Sequence, residues 1–427
     1  MAETALRPDG KGNRFEGRFD PFGPEFRADP YRVYAMFRER DPVHRTCAKD
    51  GSAEERWLVF RHRDAVTVLT DERFGREKPA QGGPAVQSPP SSAFSEMVSN
   101  WMLFRDPPQH TRLRGAVSRV FTRGRIAGLR ARMQALVGET IDRIQHAGRA
   151  DLIGELAFPL PFEVIAELLG VEVGDRRQFK SWSTVLCDAI DMKSASGWLQ
   201  RAEEATVALR SFFRNALTER LRRPADDLLS SMLAEAGRPE ALNEDEMFAA
   251  FTFLICAGHE TTTNTIGNGI LALIRNPDQL RLLIRRPELI ETAVDEILRY
   301  DSPVQVTSRI VHERLEIDGR ELTPGQRVDV MIGSANRDPE AFDHPDRFDI
   351  TRDSRAHLAF GLGTHYCLGA PLARLEGCVV IDALVRRLAD LRVEDAQLEY
   401  RKNVAFRGLI ALNCSFTPVR APASAES

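Results

Sequence analysis

The sequence predicts a mainly α-helical fold with a minor β part, packed as one compact unit. Three observations carry this expectation. Apolar residues keep helical spacing over long stretches, above all Gln109 to about Arg222 and the proline-free run from Asn243 to Asn276. β-like sequence is confined to short segments, Trp57 to Phe60 and parts of Leu315 to Ile332. No internal repeat divides the chain.

Met1 to Pro24 is polar and lacks an apolar stretch. It reads as a flexible arm, with neither a secretion leader nor an N-terminal membrane anchor expected. Asp29 to Arg40 has helical spacing (Tyr31, Tyr34, Ala35) and stops before Pro42. Lys78 to Ser92 is rich in Gly, Pro and Ser, as expected of a disordered segment or a functional lid. The helical region after Gln109 breaks at Gly124, Gly148, Pro159 to Pro161, Gly170, Gly174 and Gly197. Asn243 with Glu246 three residues on forms a capping-box pattern that opens a helix of about thirty residues. Two shorter helices follow, Asp278 to Arg285 and Glu288 to Arg299. Asp318-Gly319 marks a hairpin turn between Leu315-Glu316-Ile317 and Glu321-Leu322, and Arg327 to Ile332 continues as a strand. Asn336 to Thr351 is irregular, and a last helix runs from just after Cys367 to about Leu388. The expected organisation is an arm over residues 1–24, one catalytic domain over 25–420 and a disordered tail over 421–427.

The chain has 427 residues and a net charge of -4, so no global basic field points to nucleic acid. Its six cysteines, Cys47, Cys187, Cys256, Cys367, Cys378 and Cys414, form no C-x-x-C pair. That spacing fits neither a disulfide framework nor a zinc knuckle, and a reducing cytoplasm is expected.

The richest segment is Phe360-Gly361-Leu362-Gly363-Thr364-His365-Tyr366-Cys367-Leu368-Gly369. Its cysteine lies between a glycine-rich loop and a helix start, where unpaired amide N–H groups favour a thiolate. Alone, such a cysteine reads first as a buried small hydrophobe, with a nucleophile as the other reading. With its flanks, the Phe-x-x-Gly-x-His-x-Cys-x-Gly pattern resembles the haem-binding loop of the cytochrome P450 family. The resemblance implies Cys367 as the metal ligand of haem b (iron protoporphyrin IX), with Phe360, Gly363, His365 and Gly369 around the cofactor. His365 stands where that family more often has arginine, so its charge depends on pH.

Three further matches follow the family's order. Glu296 and Arg299 lie at i, i+3; alone they read as a solvated pair, and the resemblance makes them a buried structural pair that holds the cysteine loop through the segment around Asn336, Arg337 and Phe348. Ala257-Gly258-His259-Glu260-Thr261-Thr262 places a carboxylate and hydroxyls in an apolar helix. Threonine back-bonding at a kink is the bland alternative. The resemblance implies that Ala257 and Gly258 face the haem, that Gly258 opens a widened turn, and that Glu260 and Thr261 relay protons to O2. His110 and Arg114 share one helix face, and Arg309 sits in the strand-like Thr307 to Val311. By resemblance, all three bind the haem carboxylates.

The family's fold holds the haem between a long distal helix and the helix after the proximal cysteine, and the resemblance runs from about Phe19 to Phe416. By position in the family, Trp101, Met102, Phe253, Ala257, Val304, Gln305 and Phe406 line an apolar pocket with one amide, suited to a medium-sized apolar substrate. Lys180 to Arg201 would be its lid. The implied activity is O2-dependent insertion of one oxygen atom into a C–H or C=C bond. Electrons are expected from NAD(P)H through a ferredoxin reductase and a ferredoxin, docked on Arg112, Arg119, Arg123 and Arg374. A peroxide-using or non-oxygenating relative is the first alternative, and a non-catalytic recruitment module the second. The presence of Cys367, Glu296 and Arg299 weighs against the latter.

Overall fold

The structure is a computed structural model that describes residues 19–23, 25–26, 29–47, 55–78, 92–171, 176–191, 197–394, 398–401 and 404–418. Residues 1–18 of the expected arm, the expected tail and most of the Lys78 to Ser92 segment lie outside the described residues, whereas Phe19, near the end of the expected arm, is buried against Phe37 and Phe60 and so belongs to the fold.

The first part of the chain gives α1 (Pro30–Arg40), β1 (Val43–Cys47), β2 (Glu55–Val59), α2 (His62–Thr70), β3 (Phe74–Gly75) and α3 (Ala93–Ser99). A helical region follows, with α4 (Gln109–Ser118), α5 (Arg123–Gly128), α6 (Arg130–Gln145), the short strand β4 (Arg149–Asp151), α7 (Pro159–Leu169), α8 (Arg176–Asp191), α9 (Trp198–Arg222) and α10 (Leu228–Ala234). Next come the long helix α11 (Glu244–Arg275), then α12 (Pro277–Arg285) and α13 (Ile290–Tyr300). Four strands, β5 (Val306–Val311), β6 (Leu315–Ile317), β7 (Arg320–Leu322) and β8 (Arg327–Met331), lead to the short α14 (Ile332–Ala335). Helix α15 (Ala370–Arg387), β9 (Leu388–Val393) and β10 (Asn413–Pro418) close the chain.

Helix α11 begins where the sequence places it. The Asn243 side chain accepts the Glu246 N–H and the Glu246 carboxylate accepts the Asn243 N–H, while three acidic residues occupy the first turn. It ends at Asn276 because Pro277 cannot continue it. Two apolar cores meet along its length. Its first half (Phe248, Phe251, Leu254, Ile255) packs with residues of α3, α4, α8 and α9, and its second half (Ile266, Ile270, Leu271, Leu273) with residues of α6, α13 and α15. The polar segment Ala257 to Thr263 falls at the junction.

The main sheet has the order β1-β2-β8-β5-β3, antiparallel except for β2 with β8. Asp318 and Gly319 both take positive φ (47° and 73°), as the tight turn between β6 and β7 requires. The β4-β10-β9 sheet was not expected from the sequence. Its strand β4 has three residues, and β10 shows only the brief alternation of buried Cys414 and Phe416.

Candidate active site

The cysteine loop is held from behind by a buried ion pair. Arg299 donates to both oxygens of Glu296 at 2.7 and 2.8 Å, and both side chains are wholly buried. The other Arg299 protons reach the carbonyls of Asn336 (2.9 Å) and Pro345 (2.8 Å), while Glu296 also accepts from Ser354 Oγ (2.6 Å) and the Asp349 N–H (2.9 Å). Asn336 Oδ1 in turn accepts the Leu358 N–H at 2.7 Å, two residues before Phe360. Gly361 and Gly363 turn the loop with φ of 67° and 66°. A Cβ on Gly363 would lie 2.6 Å from the Leu69 carbonyl oxygen, so the loop presses against the end of α2.

Cys367 sits at the exit of this turn, its N–H donated to the Phe360 carbonyl at 2.9 Å. It lies deep among protein atoms yet keeps part of its surface uncovered. Burial pushes its thiol up, against the opposing pull of the Gly369 and Ala370 N–H groups and of Arg114 and Arg374. The helix start alone therefore does not make it a thiolate; a coordinated metal ion does so directly.

Beside the loop is a cluster of basic side chains. Arg309 and His110 are buried, and their rings and guanidinium face His365 and Arg114. The imidazoles of His110 and His365 lie 4.2 Å apart by centroid. Burial, then His365 and Arg114, lowers His110 to about 4, and burial lowers Arg309 to about 10. Asp106 is the acid among them, with Oδ1 3.9 Å from His365 Nε2.

On α11, Phe253, Ala257, Gly258 and Thr261 keep some surface while residues 254–256, 259–260 and 262–273 are buried. The stripe Phe253, Ala257, Thr261 at i, i+4, i+8 is thus a partly uncovered track on a buried helix. The hydroxyls of Thr261, Thr263 and Thr265 donate to the carbonyls four residues back at 2.8–2.9 Å. Helix α11 is regular throughout, so the widened turn expected at Gly258 is not formed. The glycine serves packing instead: a Cβ there would meet Ile165 of α7 at 2.9 Å. Glu260 is buried, and burial raises its carboxyl. Arg401, whose guanidinium lies 3.8 Å away, opposes that shift, and Asp188 adds to it.

Comparison with known proteins adds the deciding observation. The family model for cytochrome P450 matches residues 191–285 and 283–402. The polyketide biosynthesis cytochrome P450 PksS of Bacillus subtilis is 36% identical over 404 residues, covering 93% of this chain and 98% of PksS. This chain belongs to the cytochrome P450 family. The P450 monooxygenase PikC of Streptomyces venezuelae is 38% identical, with 91% of this chain and 92% of PikC covered. The solved structure of PksS superposes with a TM-score of 0.86 at 35% identity over 94% of this chain and all of that one. The chain is therefore a P450 monooxygenase that uses haem, O2 and electrons from redox partners.

The residues of this P450 fit a haem. Cys367 supplies a soft donor, the guanidinium groups of buried Arg309 and half-buried Arg114 are cations that Asp106 alone does not balance, and the buried Nδ1 of His110 has no hydrogen-bond partner.

Pocket residues divide. Trp101 is buried, donating Nε1–H to Thr252 Oγ1 at 3.2 Å and packing 5.5 Å from the Phe253 ring; Met102 is buried beside it. Val304 and Phe406 pair across an isolated β-bridge. The side chain of Gln305 is already bonded: Oε1 accepts from Tyr34 Oη at 3.1 Å and Nε2 donates to the Ser302 carbonyl at 2.7 Å. It pins α1 to the sheet and is not the pocket amide the sequence suggested.

The arginines expected to dock a redox partner are also partly engaged. Arg112 forks onto Glu246, Arg119 pairs with Glu235 at 2.5 Å and Arg374 with Asp295 at 2.7 Å, whereas Arg123 is exposed. Sequence reasoning missed Arg76, Arg401, Asp188 and Glu376. None stands in a motif, and their neighbours come from distant segments. Among the described residues, no helix is long and apolar enough to cross a membrane.

Proposed function

We propose that this P450 hydroxylates or epoxidises a largely apolar, medium-sized organic molecule in secondary metabolism, in the cytoplasm. Its electrons would come from NAD(P)H through a ferredoxin reductase and a ferredoxin. The observation that carries the proposal is the partly uncovered track Phe253, Ala257, Thr261, with Gly258 beside it, along a helix whose other residues from 254 to 273 are buried. It offers apolar contact with a single hydroxyl, flanked by Trp101 and Met102. The naming of PksS for polyketide biosynthesis supports the same substrate class.

Haem b, when bound, supplies O2 activation and transfer of one oxygen atom to carbon. Cys367 would hold its iron through Sγ, and Arg309, His110, Arg114 and His365 its carboxylates, with Phe360, Gly363 and Gly369 closing around it. Thr261 Oγ1 donates to the Ala257 carbonyl at 2.9 Å and keeps its lone pairs to accept a second proton. Glu260, raised by burial and restrained by Arg401, can take up a proton and release it. Together they form a two-residue proton path. Exposed Arg123 provides part of a cationic face for an acidic partner.

The test is turnover with a spin-shifting ligand selected from a library of natural-product scaffolds. Product formed with NAD(P)H, ferredoxin and reductase supports the proposal. Product from hydrogen peroxide alone, with no gain from the ferredoxin system, assigns the chain to peroxide-using relatives instead.

A further inference from the structure

We infer that Arg76, just after β3, is a further anchor for a haem carboxylate, an inference that rests on the haem-binding reading above. Arg76 is half-buried, and its NH2 group donates to Thr307 Oγ1 on β5 at 3.1 Å. Arg309 stands two residues beyond Thr307, so the two side chains leave the same face of the strand and bring two guanidinium groups together. Arg76 Nε is buried without an acceptor.

The nearby acids are already engaged. Asp106 accepts the backbone N–H groups of Arg76 (2.9 Å to each oxygen) and Glu77 (2.8 Å), and faces His312 at 3.8 Å and His365 at 3.9 Å. Glu77 pairs with Arg105 at 2.9 Å, and Asp329 with Arg327 at 2.7 Å. Among the described residues, no ion pair joins Arg76 or Arg309 to a carboxylate. Burial, then Arg309, pulls the Arg76 guanidinium well below its ordinary range, as expected for a cation short of an anion.

Asp106 acts on both guanidinium groups from a distance but bonds neither, so the two like charges stay undercompensated, whereas a carboxylate between them bonds both. A porphyrin carboxylate lying along β5 would accept from Arg309 on one side and from Arg76 Nε on the other.

The experiment compares holoenzymes carrying Arg76→Met, Arg76→Gln and Arg76→Lys with the parent. Haem loss is timed by transfer to excess apomyoglobin, and the ferric–ferrous reduction potential is measured by spectroelectrochemistry. Loss of a charge-assisted hydrogen bond predicts about ten- to a hundredfold faster haem loss for Arg76→Met and Arg76→Gln. Their potentials should move in the negative direction, because a positive charge that favours the reduced form is gone. Arg76→Lys should recover most of both. Arg76→Gln retains a donor toward Thr307, so it reports on charge even if Arg76→Met does not fold. Haem loss and potential at the parent's values in Arg76→Gln overturn the inference, as does failure of Arg76→Lys to recover either. A parent chain that binds no haem rejects the underlying reading instead.

Discussion

Glu376 makes the sharpest test of how burial sets energetics in this fold. It lies on α15, 1% exposed, with neither carboxyl oxygen hydrogen-bonded, beside the Thr262 hydroxyl of α11. Burial raises its carboxyl from 4.5 to about 8. The folded protein therefore holds a proton that the unfolded chain releases above pH 4.5. The sign follows: this contribution to stability is fully present below that value, declines as pH rises, and is gone once pH passes about 8. At about 1.4 kcal/mol per pH unit, the loss between the unfolded value and neutrality is about 3 kcal/mol. Glu376→Gln keeps the shape and removes the titration. Unfolding free energies of the two proteins from urea titrations, measured from acid to mildly alkaline pH, should diverge with the variant gaining steadily, by about 1.4 kcal/mol per unit. Parallel curves across that range would refute the reasoning.

Two other changes have defined outcomes. Arg299→Ala strips the buried Glu296 carboxylate of its two-pronged partner and leaves it the longer Arg352 contact at 3.4 Å, a cost of about 3–5 kcal/mol; circular dichroism melting should show a strongly lowered midpoint and poor haem retention, and an unchanged midpoint would deny the pair its anchoring role. Thr261→Ala should retain haem but divert reducing equivalents to hydrogen peroxide; product matching NAD(P)H consumption in that variant would reject the proton path.

Much of this site was legible in the sequence because its chemistry is concentrated in contiguous segments. The loop from Phe360 to Gly369, the helix opened by Asn243 and the pair Glu296 and Arg299 each announce themselves by local spacing. What was not legible depends on long-range placement. Arg76 gains its meaning only when β3 lies against β5. Arg401 meets Glu260 only because the chain end folds back over α11, with the Arg401 N–H on the Gly408 carbonyl at 2.9 Å. Gln305 looked like a pocket amide because nothing local reveals that Tyr34, 271 positions away, claims its oxygen. Gly258 was expected to open a widened turn in the helix, whereas the physical demand on it is the close approach of Ile165 from α7.

The central claim is that the sulfur of Cys367 is the protein's ligand to the haem iron. The most direct measurement is the carbon monoxide difference spectrum of the reduced protein, taken on the parent and on Cys367→Ala with haem content determined in both. The account predicts the red-shifted band of a thiolate ligand in the parent and its complete absence in the variant. The same band in Cys367→Ala, or a parent with haem but without the band, would contradict it.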